Sequence, residues 1–488
     1  MSKYDYDVII IGAGLSGIAA AYYLQSRCPD KTFTILEGRE AIGGTWDLFR
    51  YPGIRSDSDM YTLGYTFRPW DNPEAIADGP SILKYVNETA EDYGIDKKIQ
   101  FQHRVCGASW SSDEASWTVD IQTGKDGGIK QLTCNFLFTC TGYYDYDAGY
   151  TPEWDSLEQF QGTVVHPQKW TDDIDYTDKK VVVIGSGATA VTLVPAMAKK
   201  AAHVTMLQRS PTYIVSRPAE DALANWMNRY LPRKLAYQIT RWRIILFGML
   251  FYQMTRRRPE KTKQTVIDMV REELGDGFDI ETHFTPTYYP WDQRLCLVPD
   301  GDLFNVMKSG TASVVTDHID YFTETGIQLK SGKHLEADMI VTATGLVMKI
   351  MKGVQLSVDG EPVNLGDTFA YKGAMYSNIP NLASAFGYTN ASWTLKCELI
   401  SEYVCRLLNY MDKNAYQQCT PVLNSASIEK EPLLSFSSGY VKRALDTLPS
   451  QGSEKPWKAY QNYVLDIFAF RYGKLEDGTM IFSKKATQ

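Results

Sequence analysis

The sequence predicts an α/β fold made of two parallel-sheet units, with a helical segment inserted into the second. Three observations carry this expectation. VIIIGAGLSGIAAAYYL, from Val8, and VVVIGSGATAVTLVPAM, from Val181, are degenerate copies of one pattern. In each, an unbroken β-branched run leads through a glycine turn into an Ala-rich helical stretch. A strand that is apolar on both faces belongs inside a parallel sheet. From about 213 to 293 this rhythm gives way to stretches such as ALANWMNRYLPRKLAYQITRWRIILF, which reads as helix.

The glycine spacing of the first copy has a reason at each position. Gly12 makes the tight turn, Gly14 lets a diphosphate approach the backbone, and Gly17 lets helix and strand pack closely. The helix start then offers free N–H groups and a partial positive charge to an anion. The next strand, KTFTILE, ends in Glu37, 20 residues beyond Gly17, placed to accept from a ribose. The unit is therefore expected to be a Rossmann-like dinucleotide site. In the second copy Gly185 and Gly187 are retained and Ala190 replaces the third glycine. Its second strand, HVTMLQRS, ends in Gln208-Arg209-Ser210, with no acid. A carboxylate would repel a 2′-phosphate, whereas Arg209 can pair with one, so this site is expected to take NADPH. Two such sites in one chain imply FAD plus NADPH and hydride transfer to a flavin.

The order of elements divides the chain. Residues 1–145 are expected to form the first part of an FAD-binding domain, closed by the strand-like FLFTCTG at 136–142. Residues 150–212 open the NADPH-binding domain, 213–293 form the helical insertion, and 294–345 complete the NADPH domain. ADMIVTATG, at 337–345, again ends in Thr-Gly, so the pair is expected to mark two crossings between domains. Residues 346–488 return to the FAD domain. There PNLASAFGYTNASWTLK suggests a strand, Gly387 and a helix start near Asn390, expected to touch the flavin.

The totals exclude other classes. A chain of 488 residues calls for more than one core, and 44% hydrophobic with 22% charged residues is ordinary globular composition. A net charge of -8 argues against nucleic acid. The eight cysteines form no CxxC pair and none has a His at metal spacing, so neither zinc nor a dithiol reductase is expected. MSKYDYDVII runs directly into a strand, so free thiols and a cytoplasmic setting are expected. In 241–258 the apolar run Ile244–Tyr252 has nine residues, well short of the roughly 20 that cross a bilayer. A buried helix is expected there, with a weak contact to an anionic membrane surface as the alternative.

Further motifs carry a family resemblance. GGTW followed by RYPGIRSD, both glycine turns, the Thr-Gly pairs and PWDQRLCLVP stand in one order along the chain. FQGTVVHPQKW fits FxGxxxHxxxW through Phe160, Gly162, His166 and Trp170, although Thr171 departs from the Pro or Asp usual next. The chain resembles the class B flavoprotein monooxygenases, and among them the type I Baeyer–Villiger monooxygenases. The resemblance implies insertion of one oxygen of O2 beside a ketone carbonyl, through a flavin peroxide, to give an ester or lactone. Sulfides are expected to give sulfoxides, and an N- and S-oxidising enzyme without ketone activity is the alternative. A flavin-binding regulatory protein without turnover is a third reading. The expected partners are a small ketone or sulfide and O2.

Site residues follow from the same resemblance. Gly44, Thr45 and Trp46 of GGTW are expected at the flavin. Arg294 of PWDQRLCLVP would be the fixed cation that stabilises negative charge on the reacting oxygens. A buried Arg needs a partner, and the resemblance assigns that role to Asp57 of RYPGIRSD. Arg50, Arg55 and Asp59 of the same stretch are left with structural or surface roles. A lone His beside Val and Pro reads as structural. The resemblance gives His166, with Trp170, a part in coupling domain motion. Gln293 stands where many relatives have Lys, which softens the expected preference for NADPH over NADH.

Overall fold

The computed structural model describes residues 3–124, 127–293, 295–424, 428–434 and 436–484. Its largest sheet is centred on the strand Tyr6–Ile11, which pairs in parallel with Phe33–Leu36 on one side and Ile129–Thr139 on the other. The apolar run explains that position. Val8 and Ile10 enter one hydrophobic cluster, while Ile9 and Ile11 enter another on the opposite face. Each such side chain contributes about 1.5–3 kcal/mol when fully buried. An antiparallel meander, His103–Ser111 to Ser116–Thr123 to Ile129–Thr139, widens the sheet, and Leu382–Ser384 adds a further parallel strand. The helices Leu15–Arg27 and Trp393–Lys413 cover one face. C-terminal residues thereby complete the layer begun by the first glycine turn.

The second sheet has five parallel strands in the order Ala312–Thr316, His203–Gln208, Lys180–Ile184, Met339–Thr342, Thr163–Val165. Val181 and Val183 are buried in one cluster and Val182 and Ile184 in another, so this strand too is apolar because both its faces are covered. After each Thr-Gly pair the chain passes between the sheets. The two passages, Tyr144–Gly149 and Leu346–Met348, pair with each other antiparallel.

The inserted region begins with a strand, Ile214–Arg217, that pairs in parallel with Cys296–Pro299. Between them lie the helices Ala222–Tyr230, Arg233–Arg257, Pro259–Leu274 and Ile280–Phe284. Among the described residues no helix is long and apolar enough to cross a membrane. The expectation of a buried helix at 241–258 needs correction. Arg233–Arg257 buries Tyr237, Arg241 and Ile245 on one side, but Trp242, Leu246, Phe247 and Leu250 are exposed. Consecutive apolar residues, 100° apart around a helix, occupy its whole circumference, and the molecule covers only one side.

Candidate active site

A cavity of about 880 Å³ lies between the two sheets and receives both glycine turns. That is near the upper end of the range for ligand pockets. On the first side it is lined by Gly12, Gly14, Glu37, Gly44, Thr45 and Trp46. Gly12 has φ +103°, and a Cβ there would lie 2.7 Å from the Cys140 carbonyl oxygen. Gly17 lies one layer back, where a Cβ would come within 1.9 Å of the Gly12 oxygen, so its part is to seat the helix on the turn. Glu37 is buried, its two carboxylate oxygens accepting from the Ala13 N–H at 2.8 Å and the Arg39 N–H at 2.9 Å. Lone pairs remain for sugar hydroxyls.

On the second side Gly185, Gly187, Arg209 and Ser210 line the same cavity, while Ala190 is buried behind them. A Cβ at Gly187 would meet no atom within 4 Å, which leaves open space where a ligand backbone can approach. Neither helix N-terminus, at Gly14 or at Gly187, is capped by a side chain, so their N–H groups stay available for a diphosphate. The residues present therefore fit two dinucleotides. The second strand carries no acid of its own, yet Asp317 also lines the cavity, hydrogen-bonded through its N–H to the Gln208 carbonyl at 3.0 Å. It follows the adjacent strand Ala312–Thr316, over 100 residues later. Its carboxylate already accepts from the His318 N–H at 2.7 Å and the Ser331 N–H at 3.3 Å.

The four charges of RYPGIRSD and its surroundings have separate fates. Gly53 has φ +74° and packs on the helix Ala188–Met197, where a Cβ would lie 2.9 Å from the Thr192 oxygen. The loop thus crosses from the first sheet's side to the second unit. Arg50, itself exposed, pairs with the buried carboxylate of Asp47. Arg55 grips Asp302 with both arms of its guanidinium. Asp59 caps the helix Met60–Leu63, accepting from the Thr62 N–H at 3.0 Å. Asp57 is half-buried and lines the cavity. Arg294 lies outside the described residues, but Gln293, Cys296 and Leu297 line the cavity that Asp57 lines.

Gly387 and Asn390 are not among the residues lining the cavity. A Cβ at Gly387 would strike the Trp393 ring at 2.5 Å, and the Asn390 amide donates to the Gln461 carbonyl at 3.0 Å. The helix starts at Trp393, later than expected, and Tyr388, Ala391 and Trp393 form the wall there. His166 sits on the paired passages. Its Nδ1 accepts from the Gln168 N–H at 3.1 Å, so Nε2 carries the proton and donates to the Gly345 carbonyl at 3.2 Å. Burial lowers its pKa, against the opposing pull of that carbonyl. Trp170 is buried in the second unit's core, edge-on to Tyr176.

Two pairs in the cavity wall had no signal in the sequence. The Arg443 guanidinium stacks on the Tyr150 ring at 3.4 Å. The Lys352 ammonium stands 3.3 Å over the Tyr146 ring, and burial pushes it down to about 8.

A family model described as flavin-binding monooxygenase-like matches residues 5–350. The FAD-containing monooxygenase EthA of Mycobacterium tuberculosis is 53% identical over 480 residues, covering 98% of this chain and 98% of its own. The probable FAD-binding monooxygenase AlmA of Acinetobacter baylyi is 48% identical over 483 residues, covering 98% and 96%. Among solved structures, an oxidized steroid monooxygenase bound to NADP superposes with TM-score 0.77 at 21% identity, over 98% of this chain and 99% of its own.

Proposed function

The chain belongs to the flavin-binding monooxygenase-like family, and on that premise we propose that it is an FAD- and NADPH-dependent Baeyer–Villiger monooxygenase. It converts a ketone, O2, NADPH and a proton to an ester or lactone, NADP⁺ and water, and it oxidises sulfides to sulfoxides with the same reactants. The observation that carries this reading is the opening of both glycine turns, together with Asp57, onto one cavity.

FAD, when bound, supplies acceptance of the nicotinamide hydride and activation of O2. The domain reading keeps its proposed bounds, with 1–145 and 346–488 around FAD, 150–212 and 294–345 around NADPH, and 213–293 inserted. Gly12, Gly14 and the uncapped helix behind them hold the FAD diphosphate, and Glu37 accepts from its ribose. Gly44, Thr45 and Trp46 close over the same cofactor. Gly185 and Gly187 hold the second diphosphate, Ala190 seats its helix, and Arg209 with Ser210 takes the 2′-phosphate. Asp57 orients Arg294, whose guanidinium stabilises the charge that develops on the substrate oxygen. His166 and Trp170 couple the passages between the sheets to the second unit.

The test is turnover of purified holoenzyme under ¹⁸O₂ with linear ketones, cyclic ketones and aryl sulfides. The expected result is NADPH consumption that rises with ketone, and an ester carrying one labelled oxygen. Labelled sulfoxide without any ester would establish the N- and S-oxidising reading instead.

A further inference from the structure

Among the described residues, 20 large hydrophobic side chains are exposed, and ten of them belong to the helices Ala222–Tyr230 and Arg233–Arg257. The clustering has a direction. Leu235, Ile239, Trp242, Leu246 and Leu250 follow one another at three- or four-residue steps, which places them along one side of the long helix. The opposite side is anchored by Arg241, which donates to Glu398 at 2.9 Å and to the Gly64 carbonyl at 2.7 Å. The helix is therefore held in an orientation that keeps its apolar stripe outward. The stripe continues onto the C-terminal region, where Trp242 meets Tyr463 with ring centroids 5.8 Å apart. Phe468 and Tyr472, 61% and 72% exposed, follow there.

Charge distinguishes this surface from the rest of the molecule. Residues 222–263 contain ten Lys or Arg and a single acid, Glu260, in a chain whose net charge is -8. Arg241 is buried on Glu398, and Arg233, Arg243 and Arg256 pair with acids outside the stretch, so Arg229, Lys234, Arg257, Arg258, Lys261 and Lys263 make its basic surface. Two copies of so basic a face repel each other when brought together about a two-fold axis. An anionic bilayer surface complements it in both respects. Arg and Lys meet the headgroups, while Trp, Tyr and Leu enter the interfacial layer.

We propose that the face formed by residues 222–257 and 463–472 docks on an anionic phospholipid surface, with the helix Arg233–Arg257 lying in the membrane plane. The far end of that helix adjoins the site. Arg256 pairs with Asp292 at 2.8 Å, and the next residue, Gln293, lines the cavity. Docking thus brings to the lipid surface a helix end whose ion-pair partner, Asp292, immediately precedes a cavity-lining residue.

The experiment is co-sedimentation of the FAD-loaded enzyme with vesicles of phosphatidylcholine alone or with added phosphatidylglycerol, at low and high salt. Binding is expected only with phosphatidylglycerol, and salt is expected to weaken it. The double variant Leu246→Ser, Leu250→Ser should bind about tenfold more weakly, as should Lys234→Glu, Arg257→Glu. Unchanged NADPH oxidation in both variants verifies their fold. The proposal is overturned if phosphatidylglycerol does not promote sedimentation, or if neither variant weakens it. It is overturned equally if light scattering finds a dimer that the Leu→Ser variant dissociates, since a second copy then covers this face.

Discussion

Arg55 holds Asp302 across 247 positions of sequence, the second arm of its guanidinium donating at 3.2 Å. One partner precedes Asp57 by two residues, and the other opens the helix Asp302–Lys308 in the second unit. The pair fixes the loop that presents Asp57 to the cavity. Both side chains are partly exposed, so Asp302→Ala should cost only about 1 kcal/mol of stability. It should nevertheless raise the fraction of NADPH consumed without product, measured as the ratio of cofactor oxidised to ester formed. An unchanged ratio would separate this pair from the chemistry.

Arg241 and Glu398 form a fully buried pair, and Glu398 also accepts from the Tyr23 hydroxyl at 3.1 Å and the Thr66 N–H at 3.0 Å. Removing the carboxylate leaves a guanidinium in the core without its counter-charge. Glu398→Gln should lower stability by about 3–5 kcal/mol, read from urea unfolding. A loss within error of zero would mean that water or another group replaces the carboxylate.

His166 is held below its ordinary value of 6.5, mainly by burial. The unfolded chain therefore takes up this proton first as pH falls. The stability the neutral ring supports is complete above about 6.5 and is lost as pH falls through the lower native value. In thermal unfolding, the parent's advantage over His166→Gln should narrow below pH 6.5. Parallel curves for the two proteins would remove His166 as the titrating group.

Arg209 reaches the cavity from the end of the strand His203–Gln208. If it receives the 2′-phosphate, Arg209→Ala should raise KM for NADPH about tenfold to a hundredfold and leave KM for NADH unchanged. Equal increases for both cofactors would assign Arg209 a general structural effect.

The legible parts of the molecule are those whose physics is local. Gly12, Gly185 and Glu37 announce themselves because turn, helix start and strand end lie close together in sequence. The two-sided burial of Val8–Ile11 and Val181–Ile184 follows from composition alone. What escaped is assembled from afar. Asp317 arrives at the second turn from a neighbouring strand, and Arg443 reaches Tyr150 across 293 positions. Near Gly387 the helix starts at Trp393, a few residues after Asn390, and the Trp393 ring packs against the glycine, a contact no local pattern announces. At Ile244–Tyr252 apolarity suggested burial, but a helix against a single surface covers only one of its sides.

In the proposed mechanism Arg294, oriented by Asp57, stabilises the charge that oxygen insertion places on the substrate. The decisive assay is ester formation by FAD-loaded Arg294→Ala, followed by mass alongside NADPH oxidation. Ester is expected to fall about a hundredfold or more while FAD stays bound and NADPH is still oxidised. Ester produced near the parent rate would remove Arg294 from the oxygen-insertion step.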